Sequence, residues 1–250
     1  LLMITKSSFR STVHRPVQMD AIGVKRLDTR GRVAGQRLFV GLFTSSAYNR
    51  SPRDIPLLRQ KLRQTIDRAG FPRASHNNKA LVNILETYPR DELFQASEEQ
   101  LFQTGLGILN LQERQRVALF VRPDDFERFM SCMIYVPRES YTTVLRQRMQ
   151  TILEEEFAGT LNAHYIQLGD APLARLHVLI DTTPGQIPKF DVAAIEERLV
   201  EASRTWNDHL LDALTAAHGE VEGMKTCDAF ADAFPFDYRQ HYGADAAVKD

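Results

Sequence analysis

Between residues 117 and 216 the spacing of apolar side chains switches twice from a period near two to one near 3.6, and few folds satisfy that rhythm. Val117–Val121 and Arg128–Val136 read as strands, with Pro123-Asp124-Asp125 as the turn between them. Tyr141–Phe157 reads as a helix that buries Val144, Leu145, Met149, Ile152 and Leu153. Asn162–Leu168 and Leu173–Asp181 read as two further strands, hinged at Gly169-Asp170-Ala171-Pro172. Asp191–Ala216 reads as one long helix, capped by Asp191, with Ile195, Leu199, Ala202, Trp206 and Leu210 inward. Two strand pairs, each followed by an amphipathic helix, predict an α+β unit: one antiparallel sheet with helices packed on one face. The element order is a rotated version of the ferredoxin-like one.

Upstream, Val17–Leu27 and Arg37–Thr44 read as strands joined through Asp28–Gly35. Ser51-Pro52-Arg53-Asp54 has the grammar of a helix start, with Ser51 as cap and Asp54 completing a capping pair. That helix should run to about Ala69, stop at Gly70, and bury Leu57, Leu58, Leu62 and Ile66. Helices follow at about Asn77–Thr87 and Glu98–Leu111. The expected organisation is a basic α+β domain over 1–112, a ferredoxin-like domain over 113–219 and a small acidic region over 220–250. LLRQKLRQTI at 57–66 echoes VLRQRMQTIL at 144–153, as duplication or as convergence on good helix formers.

Charge is unevenly placed. Residues 1–75 hold 15 Lys and Arg against 4 Asp and Glu, a balance of +11, whereas residues 76–250 hold 16 against 28, a balance of −12. Complementary fields within the chain or between chains explain this most simply. An acidic partner or a nucleotide is the alternative, and nucleic acid lacks a recognition motif to support it. Two cysteines make no disulfide framework, and Cys132 in FMSCMIYV reads as a buried free thiol, which suits a reducing cytoplasm. No apolar run is long enough to span a membrane, and the absence of an initial Met suggests a segment of something longer.

Motifs for chemistry are sparse. Gly105-Leu106-Gly107-Ile108-Leu109-Asn110 lacks the third glycine and the preceding strand of a dinucleotide loop, so it reads as a helix with close-packed glycines. The seven histidines are scattered, which argues against metal binding, and no catalytic or cofactor residue is assigned. Two groups remain as candidate ligand or interface residues. Thr44–Arg53 offers Ser45, Ser46, Tyr48, Asn49, Arg50 and Arg53 beside a helix start, suited to an anion or to fixing an interface. In LARLHVLI, Arg175 and His177 point away from Ala174, Leu176, Val178 and Ile180. Their face is half-solvated, a domain or subunit contact, or a small-molecule site.

FVGLFTSSAYNRSPRDIPLLRQK, KALVNILETYPRDELFQ, RFMSCMIYVPRESYTTVLRQRMQTIL and APLARLHVLI resemble the large bacterial NAD-specific glutamate dehydrogenases. The likeness runs from about Arg10 to about Gly219, and more loosely into AFPFDYRQ. It implies a piece of the non-catalytic N-terminal half, built of ACT-like domains, which are ferredoxin-like modules that often bind amino acids at their interfaces. NAD is then implied for the full-length enzyme and for no residue of this segment. The implied partners are its own catalytic domain, further subunits of a homo-oligomer and an amino-acid effector. The family's catalytic lysine and its nicotinamide-binding fold have no counterpart in these residues. The rival expectation is a free-standing binding module with no enzymatic activity.

Overall fold

The computed structural model describes residues 2–111, 114–169 and 171–250. Asp170 in the expected hinge, and the expected boundary at 112 and 113, lie outside the described residues.

The chain opens with a three-stranded antiparallel sheet: β1 (Leu2–Arg10), β2 (Gln18–Leu27) and β3 (Val33–Gly41), with β2 central. The β2–β3 hairpin closes on Asp28, whose carboxylate accepts the amide hydrogens of Arg30 at 2.8 Å and Arg32 at 2.9 Å, while Gly31 takes φ 75°. β1 escaped the sequence reading because Lys6, Ser7 and Ser8 interrupt its alternation.

Helices α1 (Ser45–Asn49), α2 (Pro56–Ala69), α3 (His76–Glu86), α4 (Arg90–Gln95) and α5 (Glu98–Leu111) follow. They gather around Leu58, Leu62, Leu81, Leu85, Leu93 and Leu101. Gly70 ends α2 in the left-handed conformation, as its position in the sequence predicts. The two glycines of the false dinucleotide loop lie in α5. A Cβ on Gly107 would stand 2.5 Å from the Phe120 ring, and one on Gly105 would meet Leu81 at 3.3 Å.

The second sheet contains β4 (Ala118–Pro123), β5 (Phe129–Pro137), β6 (Thr160–Gln167) and β7 (Leu173–Asp181), in the order β4-β5-β7-β6 and antiparallel throughout. α6 (Thr143–Glu156) follows β5, and α7 (Val192–Ser203) follows β7. Rotating the chain start of a ferredoxin-like unit by one strand gives this order. Leu145, Met149, Leu153, Ile195 and Leu199 pack with Ala174, Leu176, Val178 and Ile180 on one face. On the other face Met133 and Tyr135 join the helical cluster. Cys132 is fully buried and unbonded, and burial pushes its thiol pKa up.

Several expectations are corrected. The long helix Asp191–Ala216 is two. α8 (Trp206–His218) restarts after Arg204 because Thr205 and Asp208 form a reciprocal capping box. Leu210 then packs not on the sheet but with Leu214, Cys227 and Ala247, among α8, α9 (Glu220–Phe230), α10 (Phe236–His241) and α11 (Ala244–Ala247). The acidic tail therefore has a small helical core of its own. Val144 is exposed, because the buried stripe of α6 starts one residue later. Ser45–Asn49 is helical rather than loop. Ser51 does cap, accepting from the Arg53 amide at 3.3 Å, but it caps a 3-10 turn over Pro52–Asp54, and α2 begins at Pro56. Pro56 rather than the Ser51–Asp54 pair sets that start, because its fixed φ suits the first helical position.

Candidate functional site

The two sheets face one another across a cleft of about 620 Å³. Its floor is the outer face of β6 and β7. Strand register puts Tyr165 opposite His177 and Gln167 opposite Arg175, so these four side chains share that face. The Tyr165 and His177 rings lie 5.9 Å apart. The facing wall comes from β1 and the turn into β2, with Lys6, Arg10 and Arg15, and from the α1–α4 side, with Tyr48 and Arg90.

On the same face, with Glu92 and His177 in the cleft lining, lies a buried polar network. Glu92 on α4 takes two hydrogen bonds from the Arg122 guanidinium on β4, Nε and Nη2 both at 2.7 Å. Desolvation alone would raise the Glu92 pKa. The Arg122 hydrogen bonds and charge outweigh it, helped by His177, and hold the carboxyl below its ordinary range. Burial is also the largest influence on His177, and with the charges of Arg175 and Arg122 it lowers the imidazole pKa despite the nearby Glu92.

Ser131, His177 and Glu92 invite comparison with a nucleophilic triad, and the geometry rejects it. His177 Nε2 lies 2.9 Å from Ser131 Oγ and 3.8 Å from Glu92 Oε1, so one ring nitrogen faces both groups. A proton relay needs serine and carboxylate on opposite nitrogens. Ser131 is also sealed from solvent at 2 % exposure. The network joins α4 to the sheet.

Two more groups tie the basic first third to the rest. Lys6 bridges Asp20 at 2.6 Å and Asp91 at 3.2 Å. Burial works against its charge, but those carboxylates more than compensate and raise its pKa. Thr5 donates to Asp124 at 2.9 Å, and Arg128 holds the same carboxylate at 2.7 Å. Of these contacts Lys6–Asp91, together with Arg53–Glu86 at 2.5 Å, pairs a base of the first part with an acid of the second.

The structure thus brings Tyr48, Arg175 and His177 to one cleft and leaves the other sequence candidates outside it. Tyr48 donates to Asp91 at 2.9 Å, and burial, then Asp91, push its pKa up. Arg175 donates to the Thr87 carbonyl at 3.0 Å. Ser45, Ser46, Asn49 and Arg50 are exposed, and Arg53 is engaged by Glu86. Sequence reasoning missed Arg10, Arg15, Arg90 and Tyr165. For the first two, the basic surplus of residues 1–75 was the available signal. For Tyr165 the signal was its register against His177, which only strand pairing reveals.

Three family models match in succession: "Glutamate dehydrogenase, helical motif 1" at residues 55–114, "Glutamate dehydrogenase, ACT2 domain" at 118–207 and "Glutamate dehydrogenase, helical motif 2" at 213–250. The NAD-specific glutamate dehydrogenase of Halomonas elongata is 43 % identical over 250 residues, all of this chain and 16 % of that protein. That of Pseudomonas aeruginosa is 36 % identical over the same length, 15 % of its own. That of Mycobacterium tuberculosis is 30 % identical over 210 residues, 78 % of this chain and 13 % of that protein. The chain therefore spans about a sixth of the length of these relatives. It belongs to the NAD-specific glutamate dehydrogenase family, as a segment that carries the family's ACT2 domain and helical motifs 1 and 2.

Proposed function

We propose that this chain is a non-catalytic regulatory and structural segment of an NAD-dependent glutamate dehydrogenase, an enzyme that oxidatively deaminates L-glutamate to 2-oxoglutarate. The observation that carries this reading is the engagement of both faces of the ACT-like sheet. Helices α6 and α7 cover one face, and the helical cluster is bolted to the other through the buried Glu92–Arg122 pair. Such a sheet transmits force and position between neighbours. On this reading NAD belongs to the rest of the enzyme, and the site of action is the cytoplasm. The partners are its own catalytic domain, sister subunits and a small effector such as an amino acid. Three units divide the work, the expected 1–112, 113–219 and 220–250 with α8 moved from the second to the third, because Leu210 and Leu214 pack with Cys227 and Ala247.

Assembly is supported by β3. Leu38, Phe39 and Val40 are exposed in succession along a free sheet edge, an arrangement natural proteins usually cover. The exposed Ser45, Ser46, Asn49 and Arg50 lie just beyond that strand and would share such a contact. Calorimetry of the chain against glutamate, aspartate and NAD tests the reading. Weak or absent NAD binding is expected, and tight NAD binding would sink the non-catalytic assignment.

A further inference from the structure

The charges around the cleft do not balance. Three of its four acids meet a cation: Asp20 and Asp91 share Lys6, Glu92 holds Arg122, and Asp181 meets the neutral Asn162 amide at 2.8 Å. Its arginines are not neutralised in the same way. Arg175 reaches a backbone carbonyl. Arg15 reaches the Phe43 carbonyl at 3.4 Å and lies 5.3 Å from the centre of the Tyr48 ring. Arg90 donates through Nη2 to the Tyr48 and Arg50 carbonyls, while its Nε and Nη1 are sealed from solvent without a hydrogen-bond partner. Arg10 makes no ion pair among the described residues.

Four guanidiniums that pair with no carboxylate among the described residues therefore line one concave space. Like charges gathered on one wall repel, and an anion placed among them relieves that repulsion. Guanidiniums bind phosphate oxygens in paired hydrogen bonds, which suits Arg10, Arg15 and Arg175. Arg90 adds field from behind a dry wall. Beside them stands Tyr165, 57 % exposed and backed by His177, a flat apolar surface of the kind on which a base stacks. The space of about 620 Å³ is several times that of a free amino acid and falls among sites for larger ligands.

We propose that this cleft binds a nucleoside polyphosphate, with its phosphates among Arg10, Arg15 and Arg175 and its base on Tyr165. The proposal does not rest on the regulatory reading, and the cleft would exist equally in a free-standing module.

The test is calorimetry of the 250-residue chain with ATP, GTP, tripolyphosphate, adenosine, glutamate and NAD. Saturable one-to-one binding of ATP or GTP is expected, weakening as salt is raised. R10A and R175M should each weaken it by about tenfold or more, whereas R63A, on the exposed side of α2, should leave it unchanged. Y165A should weaken ATP and leave tripolyphosphate untouched. Thermal unfolding followed by circular dichroism confirms that each variant is folded, and R10A serves if R175M is not, because Arg10 has no ion-pair partner to lose among the described residues. No nucleotide binding at millimolar concentration would overturn the proposal, as would equal loss in R63A. Tripolyphosphate binding as tight as ATP, with Y165A without effect, would overturn the nucleoside assignment. Glutamate binding without nucleotide binding would overturn this inference and leave the regulatory reading standing. NAD binding tighter than ATP would overturn both.

Discussion

Glu92 and Arg122 meet through two hydrogen bonds of 2.7 Å, with side chains only 3 % and 10 % exposed, and so lock a six-residue helix to a strand thirty positions away in sequence. A pair this dry is costly to break from one side. Arg122→Met leaves the Glu92 carboxylate buried without its partner and should lose about 3–5 kcal/mol of stability. The double variant R122M/E92L should recover much of that loss. Urea unfolding of the three proteins measures it, and a double variant no more stable than R122M would contradict the account.

The pH dependence follows from the directions of two shifts. The folded pKa of His177 is lowered, so as pH falls below about 6.5, the ordinary imidazole value, the unfolded chain binds a proton that the folded chain resists. Stability is therefore lost progressively on acidification from that point. Glu92 is also lowered, so the stability it contributes is present above about 4.3 and is lost as pH falls through its folded value. H177Q should flatten the upper part of the stability profile and leave the lower part. Chemical unfolding from pH 7.5 down to about pH 2.5 reads both, the His177 loss first and the Glu92 loss below the ordinary carboxylate value.

Lys61 projects from α2 and gives its ammonium hydrogens to the carbonyls of Leu93, Phe94 and Ala96 at 3.1, 2.9 and 2.6 Å, closing the end of α4. Burial, with the charge of Arg122, brings its pKa down to about 8 against the pull of Glu98. Between there and 10.5 the unfolded chain holds the proton that the folded chain has released, so stability should rise with pH across that window. Lys61→Met should remove the rise and cost about 1–3 kcal/mol at neutral pH by stranding the three carbonyls. Guanidinium unfolding at pH 7 and pH 9.5 gives both readings.

The two glycines of α5 should respond unequally to alanine. At Gly107 the new methyl would strike the Phe120 ring, and overpacking of that kind costs about 1–3 kcal/mol. At Gly105 the neighbour is the tip of Leu81 at 3.3 Å, which can give way, and alanine gains about 1 kcal/mol of helix propensity. G105A should be near neutral and G107A destabilised, with F120L partly rescuing G107A. Thermal melts of the four variants test this.

The ferredoxin-like half was legible because its periods are clean: Leu173–Asp181 alternates strictly enough that strand bounds, buried face and outward Arg175 and His177 all followed from spacing. Glu98–Leu111 and the stop at Gly70 were legible for the same local reasons. Where local signals competed, spacing misled. The apolar stripe of Asp191–Ala216 runs unbroken through Thr205, and the capping box there ends one helix and begins another. Arg90–Gln95 carries no readable period at all, because its central Glu92 is buried by an arginine that the sequence places elsewhere.

Taken by itself, the sequence determined the α+β class, the element order of the ACT-like unit, the family, and an excess of basic charge in the first third. Those are properties of near neighbours along the chain. Only the tertiary structure decided which charges are spent and which are left over. Lys6, Arg53 and Arg128 meet carboxylates, whereas Arg10, Arg15, Arg90 and Arg175 converge on a cleft without pairing with its carboxylates among the described residues. Pairing of charges depends on distances between residues up to 165 positions apart, and those distances are set by how the two sheets pack rather than by any spacing within either one.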